Sequence, residues 1–203
     1  MVFDITKMLA PEVYDHPVSD IELIETHISW VILTGSFAYK IKKPVDFGFL
    51  DFSTLEKRHT CCKQELRLNR RQAPAIYHDV VAITGTQDQP VISGDGEAFE
   101  YAVKMNQFQQ SAQLDHMLAA QQLNTELIDA IARMVAEFHQ VTDVADNSVD
   151  YGNKEVVYHP VEENFSQIKQ HLNTEIYTDT LDALYQWSLD RFTELGANFE
   201  QRK

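Results

Sequence analysis

The sequence predicts an α+β chain, with an antiparallel sheet lobe carrying one helix over residues 1–108 and an incomplete helical lobe over residues 109–203. Three observations point there. β-prone runs broken by Gly and Pro fill the first half, the plainest being Trp30–Leu33 and Phe37–Lys42 on either side of Thr34-Gly35-Ser36. From Ser111 onward, apolar residues recur at helical spacing instead. The two patterns do not alternate, and five strands followed by four helices is the order of a segregated α+β chain. With 203 residues and 44% hydrophobic content, the chain can bury a sizeable core and is too apolar for disorder.

Residues 1–18, with Pro11 and Pro17, read as an extension or short helix leading into the sheet. Asp20–Thr26 alternates apolar with acidic residues and makes a first strand, and His27-Ile28-Ser29 a turn into the second. Around the glycine turn, period-two geometry sorts the next strand. Phe37, Tyr39 and Ile41 take one face, while Ala38, Lys40 and Lys42 take the other. One face can pack; two ammonium groups beside a small residue suggest that the other meets an anion.

Ser53-Thr-Leu-Glu56 fits a capping box, with Ser53 as N-cap and Glu56 at N3. Leu55, Cys62, Leu66 and Asn69 then recur at helical spacing until Pro74, which places Glu65 near the buried stripe. Tyr77–Thr84 is a strand, Gly85–Gly96 reads as turns around a short strand at Val91-Ile92, and Phe99–Met105 is the last strand. Leu114, Met117 and Leu118 mark a short helix. Asn124 can cap the next, with its stripe Leu127, Ile128, Ile131, Met134, Val135 and Phe138. Val161, Phe165, Ile168 and Leu172 mark a third helix, and Leu181, Leu184, Tyr185, Phe192 and Leu195 a fourth that ends at Gly196.

Net charge is −14, which disfavours nonspecific binding to nucleic acid or acidic membrane. The distribution is uneven: residues 40–71 hold 9 of the 17 Lys and Arg against 4 of the 31 acids. A basic island in an acidic chain suits a small phosphate ligand better than a long polyanion. The cations Lys57, Arg58, Lys63, Arg67, Arg70 and Arg71 spread around their helix rather than forming the stripe that nucleic acid would need. No apolar run approaches the roughly 18–20 residues of a membrane span, and Met1–Lys7 lacks the pattern of a signal peptide, so a cytoplasmic protein is expected. Cys61 and Cys62, adjacent on a helix, cannot easily bridge each other and make no zinc pattern.

A strand lysine followed by a helix glutamate suggests a specific pair, Lys40 with Glu65. The lysine would hold phosphates and the carboxylate would keep it aimed. Lys42 shares the face of Lys40 and is the alternative anchor; Glu56 is the alternative carboxylate, better explained by the cap. His139 reads as a structural histidine at a helix end. His159 with Glu162, Glu163 and Asn164 could be imagined as a metal group, but first-turn acids of a helix explain them better, and no metal site is expected.

These residues carry a family resemblance. Phe37-Ala-Tyr-Lys40 resembles the Val-Ala-Ile-Lys pattern on the third strand of kinases. Glu65–Pro74 resembles the matching helix of the aminoglycoside-phosphotransferase branch of the protein-kinase-like superfamily. The longer strings Glu25–Trp30, Tyr39–Pro44 and Phe47–Lys57 resemble a bacterial group in which such a domain precedes a P-loop kinase domain. The resemblance implies a kinase-like fold and ATP as cofactor, with Lys40, Glu65, Ala38 and Met105 at the nucleotide and a hinge at Met105–Phe108 whose backbone contacts adenine.

Two departures matter. Kinases cover phosphates with a Gly-rich loop, yet the first glycine here is Gly35, so Ser29 or a few backbone amides would serve. The family's His-Gly-Asp-x-His-x-x-Asn loop and later Asp, which supply the base and the magnesium ligands, are also absent: none of His139, His159 and His171 precedes Gly-Asp. The expectation is therefore the nucleotide-binding half of an ATP-dependent phosphotransferase, ending before its catalytic loop, with no catalytic residue of its own and magnesium expected only in an intact version. The acceptor would be a small molecule or protein. The alternative is a non-catalytic, pseudokinase-like module that binds a nucleotide or a partner.

Overall fold

The computed structural model describes residues 3–144, 148–171 and 174–202. The chain divides into two compact units, residues 1–132 and 133–203. In the first, six described strands form one antiparallel sheet: β1 (Glu22–Glu25), β2 (Ser29–Leu33), β3 (Phe37–Lys42), β4 (Tyr77–Gly85), β5 (Pro90–Ile92) and β6 (Glu100–Asn106). Their order is β1-β2-β3-β6-β4-β5. The sequence total of five strands leaves out the short strand read at Val91-Ile92, which begins at Pro90 and pairs with the end of β4.

The β2–β3 hairpin forms around Thr34-Gly35-Ser36. Thr34 donates its N–H to the Phe37 carbonyl at 2.9 Å, and Gly35 takes φ +90°, a conformation that favours glycine. That turn fixes the register, so Leu33 lies opposite Ala38, Val31 opposite Lys40 and Ser29 opposite Lys42. β6 flanks β3 on its other edge, with Met105 opposite Ala38 and Val103 opposite Lys40.

The pleat then separates two cores. On one side Tyr39 and Ile41 pack with Ile32, Ile83, Ile92 and Ala102. Residues 3–14 cover them through Phe3, Met8, Val13 and Tyr14. The N-terminal segment is therefore a cap on the sheet, built from two 3₁₀ turns (Ile5–Leu9 and Pro11–Val13) rather than one short helix. On the other side Leu33, Ala38, Val103 and Met105 pack under Cys62 of α1 (Leu55–Asn69).

α1 runs as expected but is capped one residue later than the sequence pattern suggests. Ser53 spends both its N–H and its hydroxyl on Asp51 Oδ1, at 2.9 and 2.6 Å. Thr54 takes the N-cap position and accepts the Lys57 N–H at 3.3 Å.

Downstream come α2 (Leu114–Ala119), α3 (Thr125–Val141), α4 (Lys154–His171) and α5 (Thr174–Arg202). Asn124 caps α3 as expected, accepting the Leu127 N–H at 2.9 Å, and His139 lies in its last turn. α4 and α5 run antiparallel, as three pairs show: Tyr158 stacks on Phe192 at 4.2 Å, Phe165 meets Tyr185 edge-on at 5.1 Å, and Lys169 donates to Asp182 at 2.8 Å. Leu172 lies outside the described residues.

Two expectations fail here. Gly196 does not end the last helix; it lacks the positive φ of a helix-terminating glycine and α5 runs through it. Glu162 and Glu163 are not first-turn acids, since α4 begins at Lys154 and carries Pro160 in its interior. No described helix is long and apolar enough to cross a membrane.

The shifted cap is testable. Thr54→Ala should cost about 1 kcal/mol of stability in urea unfolding, whereas Ser53→Ala should change it by less than about 0.5 kcal/mol. The opposite order would restore Ser53 as the N-cap.

Candidate functional site

The register of β3 turns Ala38, Lys40 and Lys42 toward the side of the sheet that α1 covers. Along α1 the inward stripe is Leu55, Arg58, Cys62, Glu65 and Leu66, buried or half-buried at helical spacing. Glu65 therefore faces the two lysines. Lys40 Nζ donates to Glu65 Oε1 at 2.8 Å, and Lys42 Nζ donates to Oε2 at 2.6 Å. Lys42 is thus not an alternative to Lys40: both reach the same carboxylate. Glu56 is exposed, and hydrogen bonds from its own backbone amide and from Thr54 hold its carboxyl below the usual range.

Burial pushes the Glu65 carboxyl upward, but the hydrogen bonds from Lys40 and Lys42 outweigh it, so the group lies below its ordinary value. Cys62, one turn earlier, is fully buried and its thiol is pushed up to about 12. It is an inert packing residue. A second buried pair ties the other end of the helix: Arg58 Nε donates to both oxygens of Glu100, at 3.0 and 2.9 Å, and Arg58 Nη1 to the Phe52 carbonyl at 3.0 Å.

Beside the Lys40–Glu65 pair lies a cavity of about 300 Å³. Its walls are Ile24 and Val31 from β1 and β2, Leu33, Ala38 and Lys40 from the hairpin, and Tyr77 and Met105 from β4 and β6. Gln107 and Phe108 close one side. The lining is mostly apolar with one cation, the general make-up of a small-ligand site. Three of the four expected site residues, Ala38, Lys40 and Met105, line this cavity. Glu65 acts on it through Lys40.

The segment after β6 is pinned to the β2–β3 turn. Gln107 donates its N–H to the Ser36 carbonyl at 3.0 Å, and Gly35 donates its N–H to Gln107 Oε1 at 2.9 Å. Residues 105–108 thus form a fixed edge of the cavity.

Ser29 does not serve as the phosphate cover that the glycine-free turn suggested. It is fully buried on the face of Lys42, and its hydroxyl has no hydrogen-bond partner among the described residues. The β1–β2 turn is closed by its own groups: Thr26 N donates to the Ser29 carbonyl at 2.9 Å, and Ser29 N to Thr26 Oγ1 at 3.0 Å. Thr26 lines the cavity and was missed, as were Ile24, Val31 and Tyr77. Val31 was within reach of sequence reasoning, because the hairpin turn places it opposite Lys40. Tyr77 was not, because its place depends on the non-sequential pairing of β4 with β6. His159, Glu162 and Glu163 lie on α4, and no group of three or more metal-ligating side chains occurs among the described residues.

No family model matches this chain, and no solved structure matches it. It is similar to uncharacterized proteins of Mycobacterium tuberculosis and Mycobacterium bovis, each 31% identical over 170 residues. Those residues are 82% of this chain and 32% of each relative, so the chain spans about a third of the length of the curated relatives it matches.

Glu65→Gln should destabilise the sheet unit by about 3 kcal/mol at pH 7, because Lys42 is left buried without its counter-ion. The ionised carboxylate contributes fully above its unfolded value of 4.5, and that contribution is lost as pH falls through the lower folded value. The stability gap between wild type and Glu65→Gln in urea titrations should therefore narrow below pH 4.5. A gap independent of pH would refute the paired carboxylate.

Proposed function

We propose that the first unit binds a purine nucleotide, ATP or ADP, as the sheet lobe of a protein-kinase-like phosphotransferase. One observation carries this: Lys40, paired with Glu65 at 2.8 Å, opens into the same cavity that Ala38 and Met105 line. The base would lie between the aliphatic wall of Ile24, Val31 and Ala38 and the Met105 side, with its polar edge toward the backbone of residues 105–108. Lys40 would meet the phosphates as a compact, mobile point charge, and Glu65 would limit where that charge can go. Residue types and cavity size fit the ligand, since pockets for small ligands begin at about 300 Å³.

When bound, ATP supplies a γ-phosphoryl group for transfer to a hydroxyl. The groups that such transfer requires, an aspartate base and magnesium ligands, are absent as a His-Gly-Asp loop from this sequence. Nucleotide binding is the proposal for these residues, and phosphoryl transfer to a small molecule or protein is a proposal for a longer protein. A second reading, in which the lobe binds nucleotide or a partner for regulation, rests on the same pair and cavity.

Calorimetric titration with ADP and with magnesium-ATP tests the proposal. Wild type should bind in the micromolar to low millimolar range, and Lys40→Ala should weaken binding at least tenfold, the loss of one charge-assisted phosphate contact. Equal binding by wild type and Lys40→Ala would remove the lysine from the site, and no binding by wild type would sink the nucleotide reading.

A further inference from the structure

The edge of the cavity away from Lys40 is built around one side chain. Val103 stands opposite Lys40 and Met105 opposite Ala38. Gln107 follows two residues after Met105, about 13 Å from Val103 along the strand direction. It lines the cavity together with Phe108. A nucleotide whose phosphates meet Lys40 presents its other end, the base, to this edge.

Gln107 is held at two points by the β2–β3 turn. Its backbone N–H donates to the Ser36 carbonyl at 3.0 Å, and its Oε1 accepts the Gly35 N–H at 2.9 Å. The second contact fixes which way the carboxamide faces. A backbone N–H can only donate, so the atom opposite it is the oxygen, and the NH2 group is the end left over. Among the described residues neither of its N–H bonds has a partner. The two backbone N–H groups beside it are spent, that of Asn106 on the Ile76 carbonyl at 2.8 Å and its own on Ser36.

Resting on the nucleotide reading above, we propose that Gln107 is a specificity-determining residue, whose Nε2 donates a hydrogen bond to the purine and selects adenine over guanine. The distinction is one of donors and acceptors. The pairing edge of adenine carries an acceptor, ring nitrogen N1; in the same pose guanine sets an N–H there. Donor meets acceptor with adenine. With guanine two donors face each other, and both lose their water without a partner in return. A free glutamine could turn over and accept from guanine instead. The lock opposes that turn, because it would set the NH2 group against the Gly35 N–H.

The test is the ratio of the ADP and GDP dissociation constants, measured by calorimetry for wild type, Gln107→Glu and Lys40→Ala. Glutamate keeps an oxygen for the Gly35 N–H and puts an acceptor where the NH2 group stood, so the lock survives and the outer group changes sense. Whatever the new charge does to the phosphates it does to both nucleotides, and it cancels in the ratio. Wild type should bind ADP about tenfold or more tighter than GDP, and Gln107→Glu should bring the two to parity or reverse them. Lys40→Ala should weaken both alike and leave the ratio as in wild type.

If Lys40→Ala weakens both nucleotides while Gln107→Glu keeps the wild-type ratio, the nucleotide reading stands and the role of Gln107 falls. Equal binding of ADP and GDP by wild type overturns the selection in the same way. If wild type binds neither, or Lys40→Ala changes nothing, both readings fall. Should Gln107→Glu not fold, nuclear magnetic resonance on wild type decides. Saturation with ADP should move the side-chain amide protons of Gln107 downfield, and saturation with an ADP analogue carrying C–H in place of the ring nitrogen N1 should not. No movement, or equal movement with both ligands, overturns the proposal.

Discussion

A carboxylate held between two lysines under a helix is the constraint on which the geometry of the sheet unit depends. Glu65 can remain charged at that depth only if α1 lies at one rotation over β3 and within reach of both ammonium groups. Arg58 sets the same rotation independently, through Glu100 on β6. Cys62 lies between these two ties on the same stripe and packs against Leu33, Ala38, Val103 and Met105. Desolvating such ions offsets most of their attraction, so ties of this kind add little net stability. Their effect is to make one placement of the helix far better than its neighbours.

The sheet supplies the other half of that constraint. β3 is flanked by β2 on one edge and β6 on the other, so Ala38 and Lys40 each have two fixed neighbours across the pleat. Ala38 sits between Leu33 and Met105, which leaves a shallow apolar floor beside Lys40. Filling the opposite face with residues 3–14 frees this one from carrying the whole core. A face that need not be sealed can hold charge and a cavity.

Local patterns were legible in the sequence, and long-range ones only where a local pattern dictated them. The glycine turn at residue 35 gives the β2–β3 register, and helical spacing points Glu65 inward, so the Lys40–Glu65 contact could be anticipated from two local rules. The cavity walls from β4 could not, since the order β3-β6-β4 places strands side by side that are far apart in sequence. Two errors came from residues whose local signal has more than one use. Ser53 looked like a cap, but Asp51 two residues earlier accepts both its N–H and its hydroxyl and holds it outside the helix, and Thr54 accepts the Lys57 N–H instead. Gly196 looked like a stop, but a glycine ends a helix only when the backbone turns left-handed there, and nothing after it forces that turn. The inequality of Lys40 and Lys42 was invisible for a related reason: period two gives them the same face, and only the position of α1 buries one more deeply than the other.

That inequality bears on how an anion could be held with no glycine before residue 35. A Gly-rich loop binds phosphate by pointing unpaired backbone N–H groups at it. Here the β1–β2 turn uses the N–H groups of Thr26 and Ser29 to close itself, and Ser29 is buried. Neither of those amides is left for a ligand, and on the nucleotide reading side-chain charge supplies attraction in their place. A single lysine paired to a single glutamate would present almost no net charge to the cavity. Two lysines on one glutamate leave one positive charge in excess, and the deeper burial of Lys42 leaves Lys40 as the one that faces the cavity. On that reading the second lysine of β3 and the glycine-free turn before it belong to one arrangement, in which side-chain charge would supply the attraction that a Gly-rich loop draws from backbone amides.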